Sequence, residues 1–363
     1  MKNALGKFTV VILSLSLIVL FQLPSYGQED ISWQMEEFLD GYSDAFFNAE
    51  YKQAIDIIEG AIDLVENKFG KINPNVAALL NNLGALYKIE RKYPEAESAY
   101  GKALDIYEQT LGFDNSYTAG VYMALGEIYQ IRRKYKDAED SFINAQKIME
   151  KNFGSDSPNS SSALSDLGSL YKDRRKYAEA EAALTQALQT MSEGLGEGHP
   201  VLIKTLYNLG LLYEAEGKQQ EAEQAYKYMW DIFKGNFTPE QPGIEGTMNK
   251  FESERDKLWS QKNEPIYKRV MDLNNIYIGP WHPDAPLILD KLPSFYVGQD
   301  RYAEAELYYE DIADLMFSNL GQEHPNIAKM LDNMSKFYKK MGNDDKAREL
   351  KEKAQEVRTK KRF

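Results

Sequence analysis

Three histidines and five pairs of acidic residues are the side chains whose types could bind a metal or catalyse proton transfer. His199, His282 and His324 each stand directly before a proline, at the same position of a recurring pattern. Equivalent residues on helices packed about 8–10 Å apart lie too far from one another to bind one ion. We therefore interpret these histidines as helix-capping residues and expect no metal site.

Pairs of carboxylates two residues apart also recur along the chain. They are Glu95 and Glu97, Asp137 and Glu139, Glu179 and Glu181, Glu221 and Glu223, and Glu304 and Glu306. A catalytic acid and base form one unique pair, whereas this arrangement occurs five times. Acidic residues in the first turn of a helix complement the helix dipole. With no glycine-rich phosphate loop and no nucleophile elbow, we expect neither an enzyme nor a cofactor.

Composition excludes further classes of function. The 363 residues include 43 Lys and Arg against 56 Asp and Glu, a net charge of −13, and no cysteine. Without cysteine there is no disulfide, thiolate metal site, cysteine nucleophile or lipid-modified cysteine. The acidic balance argues against nucleic acid as a partner, because non-specific binding to phosphates requires Lys and Arg.

The N-terminus has the features of an export signal. Lys2 and Lys7 precede an apolar run over 8–21, and Pro24 follows it. This run is shorter than the roughly 20 residues that span a membrane, and small residues precede a cleavage point after Gly27. We predict a periplasmic or secreted protein whose mature chain has no transmembrane segment. The alternative is an uncleaved N-terminal anchor.

From residue 51 onward, a pattern recurs every 42 residues. The segment Asn-Leu-Gly-x-x-Tyr, or a close variant, places glycine at Gly84, Gly126, Gly168 and Gly210. A tyrosine followed three residues later by alanine recurs with the same period, beginning at Tyr51, Tyr93, Tyr135 and Tyr177. A glycine and then a proline separate successive units, as at Gly70 and Pro74.

These landmarks describe a unit of two helices. Proline suits the first helical position, where its missing N–H would have no partner anyway. The residue before the proline can cap that helix, and these residues are Asn73, Ser157, His199 and His324. Gly84 and Ala96 leave room for close helix approach, and a glycine after the second helix fits a left-handed C-cap. Because one pair cannot bury its apolar face alone, the pairs must stack.

The Leu-Gly-x-x-Tyr and Tyr-x-x-Ala segments resemble the tetratricopeptide repeat. The 42-residue period with a Leu-Gly-x-x-His-Pro linker, seen at 195–200 and 320–325, is similar to the kinesin light chain type. This resemblance implies an all-α fold, a right-handed superhelix (α-solenoid) of about eight antiparallel helix pairs. It is weak over 243–279, where Phe251-Glu252 replaces Leu-Gly.

We therefore divide the chain into four segments. They are a signal peptide at 1–27, the first five helix pairs at 28–236, a degenerate repeat or joint at 237–284, and the last two repeats with a capping helix and basic tail at 285–363.

The resemblance implies a scaffold that binds a peptide or protein segment on its concave face. By repeat position, the candidate groove residues are Asn81, Asn82, Lys88, Met123, Glu127, Gln130, Ser165, Asp166, Ser169, Lys172, Lys204, Tyr207 and Asn208. Asn82 and Asn208 occupy the position at which related repeats hold a peptide backbone, and Asp166 interrupts that series. The alternative is a concave face that is merely solvated.

Two further features suggest where a partner binds. Cations in the turns between paired helices would line up into a basic edge that attracts an acidic partner, or would simply complement helix dipoles. These residues are Arg91, Arg132, Arg133, Arg174 and Arg175. Trp230, Trp259 and Trp281 lie in or beside the degenerate repeat. They form either an aromatic contact site, as in a glycan-binding accessory protein of the cell envelope, or a repacked joint.

Overall fold

The computed structural model describes residues 32–237 and 280–360, and every regular element in these two ranges is a helix. The predicted signal peptide and most of the degenerate repeat lie outside the described residues. Five consecutive antiparallel pairs come first: α1 (Ser32–Phe47) with α2 (Tyr51–Phe69), α3 (Pro74–Ile89) with α4 (Tyr93–Thr110), α5 (Ser116–Ile131) with α6 (Tyr135–Phe153), α7 (Pro158–Asp173) with α8 (Tyr177–Leu195), and α9 (Leu202–Glu216) with α10 (Gln219–Phe237).

The second range continues the same architecture. The short helices α11 (Ala285–Leu289) and α12 (Lys291–Gly298) precede α13 (Tyr302–Leu320), and α14 (Pro325–Lys340) pairs with α15 (Asp344–Lys360). In the first five pairs, each helix packs against its pair partner, and the second helix packs against the first helix of the next pair. The predicted all-α solenoid of stacked helix pairs is confirmed.

Glycine in the first helix of a pair lets the second helix approach closely. A Cβ added at Gly84 would lie 2.7 Å from the Tyr100 ring, and one at Gly126 would lie 2.5 Å from the Phe142 ring. Both distances are far below van der Waals contact, so no side chain fits at these positions without displacing the aromatic ring.

The predicted helix caps are correct for Asn73, Ser157 and His324 and wrong for His199 and His282; His282 lies two residues before Asp284, the N-cap residue of α11. Asn73 Oδ1 accepts the Asn75 N–H at 2.9 Å, and His324 Nδ1 accepts the Asn326 N–H at 3.1 Å. His199 accepts the Val201 N–H at 3.3 Å, but α9 begins only at Leu202. His199 therefore stabilises the turn before the helix and is not its N-cap residue, because Pro200 does not enter the helix.

The left-handed conformation was predicted at the wrong end of the second helix. Gly154 follows α6 with φ 89° and ψ 157°, a region that glycine alone populates readily but that is not left-handed helical. Left-handed helical turns instead join the two helices of a pair, where Arg91, Arg133 and Arg175 all have φ 59°. Each of these three residues lies in the middle of a three-residue connection between the paired helices.

A carboxylate on each second helix links its pair to the next one. We call this series the carboxylate ladder, and its contacts are Glu97 to Lys134 at 3.0 Å, Glu139 to Arg174, Glu181 to Lys218 at 2.8 Å, and Glu223 to Arg301 at 2.8 Å. The acidic pairs thus have a structural role, since the second residue of each of these pairs bridges neighbouring repeats.

The Glu223–Arg301 contact shows that α10 and the helices around Arg301 are direct neighbours. Arg301 precedes α13, as Lys134 precedes α6 and Lys218 precedes α10, and α10 packs against both α12 and α13. Tyr296 of α12 also donates its hydroxyl to Glu223 at 2.9 Å. The pair formed by α11–α13 therefore stacks on the fifth pair with the same contacts that join the earlier repeats.

Candidate functional site

The first helices of pairs two to five line the concave side of the stack. Successive first helices contact one another, α3 with α5, α5 with α7 and α7 with α9. Lys204 Nζ on α9 lies 2.6 Å from Glu127 Oε1 on α5, so these side chains meet across the intervening α7. Side chains two repeats apart come together in this way only where the stack curves inward.

Four of the candidate groove residues form a single ion network on this face. Glu127 binds Lys88 at 2.7 Å as well as Lys204, and Lys204 also binds Asp166 Oδ1 at 2.7 Å. The network therefore joins pairs two, three, four and five. Its two ammonium groups and two carboxylates balance, so it is polar without a large net charge.

Burial and charge act in opposite directions on the two carboxyls. Burial disfavours the charged form of Glu127, but Lys204 and Lys88 outweigh it and hold the pKa of Glu127 below its usual range. Burial raises the pKa of Asp166, and Lys204 offsets this only in part. Among the described residues, Asp166 Oδ2 has no hydrogen-bond partner.

A second polar cluster lies between α5 and α7. Gln130 Nε2 donates to Asp173 Oδ2 at 2.7 Å and to Ser169 Oγ at 3.3 Å, and Lys172 lies 3.3 Å from Asp173. Asp173 was not among the sequence candidates. Its position one helical turn after Ser169 on α7 is the signal that could have identified it.

The remaining candidates are buried or partly buried. Four of them have buried side chains: Asn81, Asn82, Ser165 and Asn208. Ser165 and Thr205 share a hydrogen bond at 2.9 Å. Met123 packs beside Ala119 and Ile148, and Tyr207 packs against the C-terminal apolar core. The predicted asparagine series is therefore not an open row of groups along the groove.

The basic edge is partly neutralised. Arg132 pairs with Glu97 and Arg174 with Glu139, both on the preceding repeat. Arg91, Arg133 and Arg175 are exposed in the turns. Two of the five candidate cations thus hold repeats together, and the edge carries less free positive charge than the sequence indicates.

Trp230 and Trp281 do not form an exposed aromatic site. Trp230 and Trp281 are each only 4% exposed. Trp281 lies edge-on between Phe47 and Phe237, with ring centroids 5.7 and 5.5 Å away. A sugar ring cannot reach either side chain, so for these two residues the burial supports the repacked joint over the aromatic contact site, and Trp259 lies outside the described residues.

The described ranges contain neither a metal-binding cluster nor a membrane-spanning helix. Over 32–237 and 280–360, no group of three or more His, Asp or Glu side chains is arranged to hold a metal ion. In the same residues, no helix combines the length and apolar character that a membrane crossing requires.

Comparison with known proteins identifies the repeats. The family described as tetratricopeptide repeat matches residues 44–109, 117–193 and 170–227. No curated protein matches the chain.

Three solved structures illustrate the likeness in fold. A putative kinesin light chain with nearly identical TPR-like repeats from Podosopora anserina is 18% identical, covering 56% of this chain and 97% of its own, with a TM-score of 0.47. BtubC (BKLC) from P. vanneervenii is 17% identical, covering 87% and 91%, with a TM-score of 0.42. The Rap conjugation gene regulator of the plasmid pLS20, in complex with the Phr* peptide, is 15% identical, covering 95% and 79%, with a TM-score of 0.51.

The last of these extends the likeness in fold over nearly the whole chain. The family matches cover the repeats in which Leu-Gly-x-x-Tyr and Tyr-x-x-Ala recur, and the helix pairs stack as those motifs require. The chain is therefore a tetratricopeptide repeat protein.

Proposed function

We propose that this chain is an exported scaffold that binds an extended segment of another protein on the concave face of pairs two to five. The observation that carries this proposal is the Lys204–Glu127 contact, which marks a polar concavity lined by four successive first helices. The side chains of Lys88, Glu127 and Lys204 are 33%, 27% and 44% exposed, so a guest can reach them.

The chemistry of this face suits a guest that exchanges hydrogen bonds. Ammonium donors and carboxylate acceptors alternate over a short distance, and Gln130 and Ser169 add neutral groups. An extended segment offers N–H and C=O groups in similar alternation. The Rap regulator was solved with a bound peptide, which supports a peptide as the class of partner.

The partner's acidity is the finer part of the proposal. Charges within the concave network cancel, so an acidic guest would gain its attraction from exposed turn residues such as Arg133 and Arg175. We expect the double substitution of Arg133 and Arg175 to Glu to weaken capture of an acidic partner at low salt. Capture unchanged at low salt would show that the partner's acidity does not matter.

Export is supported by the positive N-terminus, the short apolar run and the cleavage point after Gly27. Mass spectrometry of the protein purified from its native host tests this step. A mature chain that begins at Gln28 is the expected result, and a chain retaining residues 1–27 would contradict cleavage.

Site-specific photocrosslinking tests the binding face. A photoreactive residue at Gln130 or Lys172 should form adducts with the natural partner, while the same residue at Thr185, exposed on α8, should not. The adduct at 130 should be lost when Ser169 is replaced by Arg, because the larger side chain fills the space beside Gln130. Adducts formed equally at 185 would contradict a concave site.

A further inference from the structure

The residues from Pro280 to Asp284 lie where the first helix pair meets the last two pairs. Trp281 packs between Phe47, the last residue of α1, and Phe237, the last residue of α10. The Phe47 ring belongs to the same apolar core as residues of α10 and of α12 to α15. The stack therefore curves far enough for its beginning to contact its end.

Polar contacts hold the same region together. His324 Nδ1 accepts the Asn326 N–H, so the ring hydrogen is on Nε2, which donates to the Phe47 carbonyl at 2.9 Å. This bond ties the end of α1 directly to the start of α14. Residues 47 and 324 are 277 positions apart in sequence.

The segment is held as a bound peptide would be. Asn326, on the first helix of the last pair, donates its side-chain N–H groups to the carbonyls of Pro280 and His282 at 3.0 and 2.9 Å. Lys329, one turn later on α14, reaches the Pro283 carbonyl at 3.4 Å. The side chains of one first helix thus bind the carbonyls of residues 280, 282 and 283 of a turn segment, while Phe47 and Phe237 pack against its Trp281 ring.

The segment also lies close to the proposed concave site. His282 is within electrostatic range of Lys88, Glu127 and Lys204, and Asp284 is within range of Tyr51 and Tyr207. Titratable side chains of pairs one, two, three and five therefore interact electrostatically with residues 282–284. A guest that extends along the groove toward the last pair meets this segment.

We propose that Pro280–Asp284 is an internal ligand that latches the first pair to the last two, and that a partner segment bearing an aromatic side chain binds there by displacing it. This inference rests on the proposed peptide-binding function and names the chemistry that one end of the groove recognises. The aromatic ring would occupy the space between Phe47 and Phe237, and two backbone carbonyls of the partner would accept from Asn326.

The test uses the full chain and a synthetic peptide of residues 280–286, Pro-Trp-His-Pro-Asp-Ala-Pro. We expect Trp281→Ala to open the array, giving a larger radius of gyration by small-angle X-ray scattering. The peptide should bind this variant more tightly than it binds the wild-type protein. If the latch is closed in about nine molecules in ten, the apparent affinity should differ about tenfold.

Matched controls separate latching from general stability. Trp281→Phe keeps a ring between Phe47 and Phe237 and should scatter like wild type, since Trp281 Nε1 has no hydrogen-bond partner among the described residues. A peptide with alanine in place of tryptophan should not bind. Phe47→Ala removes the first pair's side of the contact and should open the array even if Trp281→Ala does not fold.

Unchanged scattering in both Phe47→Ala and Trp281→Ala would overturn the latch, and so would failure of the peptide to bind the opened variants. These readouts do not involve the natural partner. They can therefore fail while crosslinking at Gln130 still supports the proposed function, or succeed while that crosslinking fails.

Discussion

At the scale of single residues, glycine has two separate roles in this fold. Gly126 lies against the Phe142 ring, where a Cβ would come within 2.5 Å, whereas a Cβ at Gly101 in the middle of α4 would contact nothing within 4 Å. The first glycine is required by packing between helices. The second lowers helix stability without a steric reason.

This contrast gives a matched prediction. Gly126→Ala should destabilise the protein by about 1–3 kcal/mol, because the added methyl group overpacks the contact between α5 and α6. Gly101→Ala should stabilise it by about 0.5–1 kcal/mol through helix propensity. Chemical denaturation of both variants measures the difference, and equal effects would contradict the close-approach argument.

The left-handed turn residues give a second prediction. Arg133 has φ 59°, while Gly217 has φ 76° at the corresponding turn of pair five. Replacing Arg133 by Gly should relieve backbone strain and stabilise the fold by about 0.5–1 kcal/mol, net of the greater freedom of glycine in the unfolded chain.

Gly217→Ala is the reverse control and should destabilise by a similar amount, because it introduces a Cβ at a positive φ. Thermal unfolding of the two variants provides the measurement. A loss of stability in Arg133→Gly would mean that the Arg133 side chain makes a contact worth more than the strain.

At the scale of elements, the contacts between neighbouring helix pairs recur every 42 residues, as the helices themselves do. In pairs two to five, the lysine that precedes the second helix lies over a tyrosine of the first, at 5.8 Å for Lys92 and Tyr87 and 5.3 Å for Lys134 and Tyr129. The carboxylate ladder then joins that corner to the preceding repeat. The same three residue types, lysine, tyrosine and glutamate, therefore recur where these pairs meet.

The carboxylate ladder predicts that loss of the Glu223 carboxylate weakens the contact between the fifth pair and α11–α13. Hydrogen bonds from Arg301, Lys227 and Tyr296 outweigh burial and lower the pKa of Glu223 to about 2. Glu223→Gln should cost about 1.5–3 kcal/mol at pH 7, the usual range for hydrogen bonds to charged groups. Glu221→Gln, on the exposed side of the same turn, should cost much less.

The pH dependence provides a separate check on Glu223. Because its pKa is lower in the folded protein, its contribution is present above about pH 4.5, the ordinary value, and is lost as the pH falls toward 2. The difference in unfolding free energy between Glu223→Gln and wild type should therefore shrink from pH 5 to pH 3. A constant difference would contradict a charged Glu223 at this contact.

At the scale of the whole molecule, curvature brings residues from the first and last pairs together around Trp281 and His282. Its Nδ1 accepts the Asp284 N–H at 3.2 Å, an acceptor role that only the neutral ring can fulfil. Burial lowers the pKa of His282 to about 4, with Lys88 and Lys204 acting in the same direction and Asp284 and Glu127 opposing it.

A lowered histidine pKa makes the fold sensitive to acid. The neutral ring is favoured in the folded protein, so this contribution is fully present above about pH 6.5 and is lost as the pH falls toward 4. His282→Asn retains an acceptor and does not titrate, so it should lose less stability than wild type between pH 6.5 and 4.5. Urea unfolding across this range measures it, and parallel curves would contradict a buried neutral His282.

Much of the local structure is predictable because the same sequence motifs recur in several repeats. Each 42-residue unit contains the same short motifs. Leu-Gly-x-x-Tyr and Tyr-x-x-Ala specify the two helices and their close approach, and a proline, where present, specifies the helix start. Conversely, Asn82 and Asn208 have the residue type of a peptide-binding series but are buried. Residue type alone does not say how deeply a position lies once neighbouring repeats have stacked.

The sequence by itself determined the family, the helix pairs and the side of each helix that packs, because these depend on contacts repeated at one short period. Only the tertiary structure decided that Lys204 reaches Glu127 across a repeat, that α11–α13 stack on the fifth pair, and that Trp281 meets Phe47. These contacts depend on the small rotation between successive pairs, which accumulates along the stack. No local pattern encodes that sum, so residues 234 positions apart, Phe47 and Trp281, become neighbours without a sequence signal.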